Sequence, residues 1–168
     1  MPVGPIGQVE VFRMGHDLEH SYSIYVKASP EQVWEGLTES TFTTRYFPYA
    51  AAKSDWRVGS EYVMTRAGAA SVVYDGKVLV SDRPRQLVQT VNIKFDPSLV
   101  GHKEMTISWD IEQFGEACRV TITHRGAGSD TKLFNMLVSH CPDLMSGLKT
   151  LLETGMPLQI GEGVEAGV

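Results

Sequence analysis

Three side chains in this 168-residue chain sit where chemistry could begin: His124, His140 and Cys141. His124 closes an alternating run from Cys118 to Arg125 and shares the parity of Val120 and Ile122. It should therefore point inward near a strand end. Burial there would tune an imidazole into a polar anchor or a general base at a cavity mouth. The alternative is a core-edge histidine hydrogen-bonded to backbone. His140 and Cys141 stand immediately before Pro142, which predicts a helix break or restart. A thiol at a helix N-terminus has a lowered pKa, and an adjacent histidine suggests a nucleophile. Against this, neighbours in a helix point in different directions, which favours simple helix-start packing.

Other chemistries find less support. Cys118, Cys141, His124 and His140 lack any paired metal-ligand spacing. Asp75-Gly76 has none of the further carboxylates of a calcium loop. There is no phosphate-cradling glycine loop and no Gly-x-Ser-x-Gly elbow. No metal or cofactor is expected. The two cysteines have no C-x-x-C partner and read as separate, buried thiols.

Charge and hydropathy bound the partners. Net charge is −5 with no basic block, so a nucleic-acid partner is not expected. No apolar run is long enough to span a bilayer. The opening MPVGPIGQVEVFR lacks a basic start followed by an apolar stretch, which points to the cytoplasm. Hydrophobic residues make up 42%, enough for a sizeable core.

The elements that must position these residues follow from periodicity. Residues 1–18 are rich in Gly and Pro and read as a loosely ordered arm, with a short strand at Val9 to Arg13. Ser21 to Lys27 alternates, with Tyr22, Ile24 and Val26 on one face. Ser29-Pro30-Glu31-Gln32 combines an N-cap, a proline at the first helical position and a capping-box Gln. A short helix through Val33, Trp34 and Leu37 follows, then a second carrying Phe42. Strands are expected over Glu61–Arg66, Val72–Ser81, Gln86–Phe95, Lys103–Gln113 and Cys118–Arg125. Their short connections require antiparallel pairing. Gly76 marks a bulge or a close backbone approach. Asp130–Val138 reads as one helical piece and Pro142–Thr154 as another, ending at Gly155. Residues 157–168 read as a flexible tail.

The fold class expected is α+β: a curved six- to seven-stranded antiparallel sheet wrapped around a long C-terminal helix, with two short helices after the first strand. The domain should span residues 19–156. Such a sheet, dry on one face, must be covered, and one helix cannot fill its whole concavity. The remainder is a space that side chains fill or a ligand occupies.

Four segments carry a family resemblance: 28–38 (ASPEQVWEGLT), 56–62 (WRVGSEY), 76–88 (GKVLVSDRPRQLV) and 148–155 (LKTLLETG). With 120–126 they resemble the START-like, or polyketide cyclase-like (SRPBCC), superfamily. The branch is the one related to the C-terminal domain of the activator of the ninety-kilodalton heat-shock protein ATPase. The resemblance covers roughly residues 20–156 through the order and spacing of its segments. It implies the helix-grip fold and an apolar cavity, but no shared catalytic set. Many members carry a Trp near the start of the terminal helix. This chain has Ser139-His140-Cys141-Pro142 there, which implies a remodelled helix start. The additional N-terminal domain of the eukaryotic activator has no counterpart here, so direct chaperone activation is not expected.

By parity the inner face should carry Tyr62, Met64, Val78, Val80, Val91, Trp109, Ile111 and His124. Leu137, Met145 and Leu148 join them from the helix, with His140 and Cys141 at its entrance. These thirteen residues are the candidate ligand contacts. The expected function is binding of an apolar small molecule such as a lipid, polyketide or aromatic metabolite. A cyclase- or hydrolase-type enzyme using His124 or His140 and Cys141 is the first alternative. A chaperone-modulating interaction module is the second, and a homodimer is compatible with all three.

Overall fold

The computed structural model describes residues 9–14, 17–47, 50–66, 68–99, 105–126 and 131–159. Expected features at residues 1–8 and 160–168, the strand start at Lys103 and the helix start at Asp130 lie outside these residues.

Among the described residues eight strands form one antiparallel sheet in the order β1-β2-β8-β7-β6-β5-β4-β3. They are β1 (Val9–Met14), β2 (Asp17–Val26), β3 (Ala50–Lys53), β4 (Glu61–Arg66), β5 (Val72–Asp82), β6 (Gln86–Ile93), β7 (Met105–Phe114) and β8 (Ala117–Arg125). β1 pairs with β2 along its full length, placing Val11 opposite His20. The α+β helix-grip architecture is as expected, with one strand more than was counted. The extra strand is β3, an Ala-Ala-Ala-Lys edge with no β-branched or aromatic signature to announce it.

Alternation sets the inner face. On β2, β6, β7 and β8 the buried positions recur every second residue, as at Cys118, Val120, Ile122 and His124. β5 departs from this. Its register against β6 shifts between Val78 and Val80, which makes Leu79 the extra residue of a bulge. Val78 is fully buried, whereas Val80 is 36% exposed. The expected inward position of Val80 is therefore corrected: one inserted residue turns it to the outer face.

α1 (Pro30–Thr38) begins at the expected capping box. The Gln32 N–H donates to Ser29 Oγ at 3.2 Å, and the Ser29 N–H donates to Gln32 Oε1 at 2.9 Å. α2 (Ser40–Thr43) follows. α3 (Thr131–Thr154) is one helix of 24 residues that runs through Pro142. The expected break before Pro142 is thus corrected. Leu133, Leu137, Cys141, Met145, Leu148 and Leu151 form one buried stripe across the proline. Each buried large side chain contributes roughly 1.5–3 kcal/mol. Together they outweigh the roughly 3 kcal/mol that an interior proline costs.

The end of α3 is pinned. Lys149 Nζ donates to the Tyr25 carbonyl, and Glu153 Oε1 accepts from both Lys149 Nζ and the Lys27 N–H at 2.8 Å. Arg45 donates to the Gly155 carbonyl at 2.9 Å. Gly36 packs under the same stretch, where a Cβ would lie 3.1 Å from Leu148.

Candidate functional site: an apolar cavity under the first half of α3

Two buried clusters meet in the concavity. The larger lies beneath α3; the smaller comprises Ala50, Ala52, Tyr62, Met64 and Val73. Phe47, Tyr74 and Phe95 pack against both and touch edge-to-face, at centroid distances of 5.8 Å and 5.6 Å. These rings bridge the two cores and line the space between them. A cavity of about 240 Å³ opens there.

Its floor is apolar: Met64, Val91, Ile93, Met105, Ile107 and Ile122. Its roof is α3, through Met136, Leu137, Cys141, Leu144 and Gly147. Gly147 lets α3 approach the link after α2, since a Cβ there would lie 3.1 Å from Tyr46 Cβ. Arg45, Arg66, His140 and Asp143 are exposed lining residues and form a polar rim.

Of the thirteen expected contacts, Tyr62, Met64, Val91, His124, Leu137, His140 and Cys141 line this space. Val78, Trp109, Ile111, Met145 and Leu148 do not. They are buried in the larger cluster, where side chains pack the concavity solid. Val80 lies outside altogether. Parity identifies the inner face but cannot tell which part of that face is hollow.

The polar groups within are few. Tyr62 Oη donates to the Thr90 carbonyl at 2.6 Å. Burial raises the Tyr62 phenol, partly offset by a hydrogen bond from Gln89. Burial also pushes Tyr74 up to about 12. Tyr46 is raised by the same cause and donates to the Gly36 carbonyl. All three phenols are neutral donors at physiological pH.

His124 is 6% exposed, and its Nδ1 lies 3.4 Å from Nδ1 of His20, which is fully buried. The residues are register partners on β8 and β2. Their rings tilt by 33°, and Phe134 of α3 meets His20 edge-on. Burial, with a smaller contribution from His20, drives His124 down to about 3. Burial lowers His20 as well. His20 escaped notice in the sequence although it continues the parity of Tyr22, Ile24 and Val26. Gln89, on the parity of Leu87 and Val91, was missed for the same reason: a polar residue was not credited with an inward position.

Cys141 sits in mid-helix, 2% exposed, and burial pushes its thiol up to about 12. Without a helix N-terminus or a charged partner, nothing makes it a thiolate. His140 lies next to it on the exposed side of α3. Cys118 is also a free, buried thiol, 3.1 Å from the Ala28 carbonyl and raised by burial. Among the described residues no cluster of three or more His, Cys, Asp or Glu is placed to hold a metal ion. No helix among them is long and apolar enough to cross a membrane.

A helix-grip sheet closed over an apolar cavity defines the START-like, SRPBCC class. Within it, this chain belongs to the Activator of Hsp90 ATPase homolog 1-like protein family, which matches residues 27–153. Solved structures share the fold. CalU16 from Micromonospora echinospora aligns with a TM-score of 0.67 at 15% identity, over 90% of this chain and 86% of that one. The Aha1 dimer from Colwellia psychrerythraea aligns at 0.65 and 22%, over 82% of this chain and 97% of that one. PFC0360w, an HSP90 activator from Plasmodium falciparum, aligns at 0.61 and 14%, over 82% and 96% respectively. No curated protein matches the chain.

Proposed function

We propose that this protein binds an apolar small molecule in the cavity beneath α3. The observation that carries this is the space of about 240 Å³ with an apolar floor between the sheet and α3. Protein interiors seldom leave such room. An engineered apolar cavity of roughly 150 Å³ binds benzene. The space here suits a molecule of one or two rings, or a short branched chain. An aromatic metabolite or small polyketide fits that size better than a long-chain lipid.

The cavity offers little to an enzyme. The neutral Cys141 thiol is no nucleophile at neutral pH, and a His124 held near 3 is a poor general base. A chaperone-modulating role, or a homodimer, would be inherited from the Colwellia and Plasmodium proteins. No surface described above favours either over the cavity. Two separate buried thiols suit the reducing cytoplasm, where we place the protein's action.

The test is uptake of a naphthalene-based environment-sensitive dye by purified protein, with native mass spectrometry for a co-purifying ligand. Blue-shifted fluorescence that is lost in Ile107→Trp, which fills the floor, is the expected result. The absence of both dye uptake and a bound mass would overturn the reading.

A further inference from the structure

The structure assigns to His20 the task of fixing the tautomer of His124, so that Nε2–H of His124 faces the cavity as a donor for a neutral carbonyl oxygen on an apolar ligand. The ligand half of this rests on the cavity proposed above; the tautomer half does not.

The Nδ1 atoms of the two rings lie 3.4 Å apart. Burial keeps both imidazoles neutral, so one hydrogen lies between these nitrogens. A neutral imidazole carries a single N–H. Whichever ring donates through Nδ1 has a bare Nε2, and the other ring carries its hydrogen on Nε2.

The environment of His20 decides between the two arrangements. Its Nε2 is buried and, among the described residues, has no hydrogen-bond partner. The neighbour from α3 is Phe134, its ring centroid 6.3 Å away, which supplies no acceptor. A buried N–H without a partner is rarer than an under-satisfied acceptor. The bare nitrogen therefore belongs on His20, and His20 Nδ1–H donates to His124 Nδ1. His124 is left with Nε2–H. That ring lines the cavity, and among the described residues nothing accepts from its Nε2. A fixed donor in an apolar pocket selects an oxygen acceptor that costs little to desolvate. A ketone, quinone or ester carbonyl meets that condition better than a carboxylate, because neutral His124 offers no charge to pair with.

The deciding measurement is a long-range ¹H–¹⁵N correlation spectrum of the histidine rings in the full chain. His124 should show hydrogen on Nε2 and His20 on Nδ1. In His20→Phe, His124 should lose this single-tautomer signature. A wild-type His124 protonated on Nδ1 or on both nitrogens overturns the inference, as does an unchanged spectrum in the variant. If His20→Phe does not fold, the wild-type spectrum decides. The ligand half is read with 2-acetylnaphthalene and its acceptor-free isostere 2-isopropenylnaphthalene. The affinity ratio of ketone to alkene should fall about fivefold from wild type to His20→Phe. An unchanged ratio overturns that half. Failure of both naphthalenes to bind wild-type protein overturns it together with the cavity reading, while the spectrum still judges the role of His20.

Discussion

The Tyr62 hydroxyl reaches the Thr90 carbonyl at 2.6 Å by crossing over Gly76, its register partner on the intervening strand β5. A Cβ on Gly76 would lie 2.0 Å from that same carbonyl oxygen. The missing side chain thus lets β4 hydrogen-bond to β6 across β5, and it fixes the Tyr62 ring at the cavity wall.

Gly76→Ala should destabilise the fold by about 3 kcal/mol or more, since the clash is with backbone that cannot swing away. Gly59→Ala is the contrast. Gly59 has a φ of +85° but open space around it, so its cost is the backbone term of about 1–2 kcal/mol. Tyr62→Phe should cost about 1–2 kcal/mol through the unpaired Thr90 carbonyl. Urea midpoints at constant m-value measure all three.

Pro142→Ala should stabilise the protein by about 1–3 kcal/mol. It returns an N–H to the Val138 carbonyl at an exposed position of α3. A thermal midpoint that stays level or falls would mean that the proline fits its site without strain.

His124 makes stability depend on acid. Its folded pKa is about 3 against an ordinary 6.5, so below pH 6.5 the unfolded chain binds a proton that the folded chain refuses. Stability is therefore lost as pH falls from 6.5 toward 3, by on the order of 3 kcal/mol at pH 4. His20, also lowered, adds in the same direction. Denaturation free energies of wild type and His124→Leu across this window should differ in slope, with the variant flatter. Parallel slopes would refute the assignment.

Cys141 and Cys118 should resist iodoacetamide at pH 8 and label only as the chain unfolds. The raised folded pKa of Cys141, about 12, also means that stability is intact below pH 9 and declines above it. Rapid labelling of folded protein at one site would return the nucleophile reading to consideration.

Much of this was visible in the sequence. Alternation over β2, β6, β7 and β8 set the inner face, and Ser29 to Gln32 set the start of α1. The failures have specific causes. β3 is too short and too alanine-rich to signal a strand. The Leu79 bulge reverses parity within β5 without a glycine or proline at the inserted residue. Pro142 reads locally as a breaker, yet the buried stripe on both sides holds the helix together. The cavity lies beyond periodicity, because it lies where Phe47, Tyr74 and Phe95 meet edge-to-face between two cores. The histidine pair is legible only after register places residues 20 and 124 side by side.

α3 is fastened on both sides of the cavity, which makes its roof a beam. One support is Lys149, Glu153 and the Arg45–Gly155 bond; the other is Lys132, which bonds Ser98 Oγ and pairs with Asp96. A beam held at both ends gives least beside its supports, so the pocket is widened more cheaply by turning the exposed rim side chains Arg45, Arg66, His140 and Asp143 than by swinging the helix away. The way in is thereby set at the rim, while the roof keeps its place above the sheet.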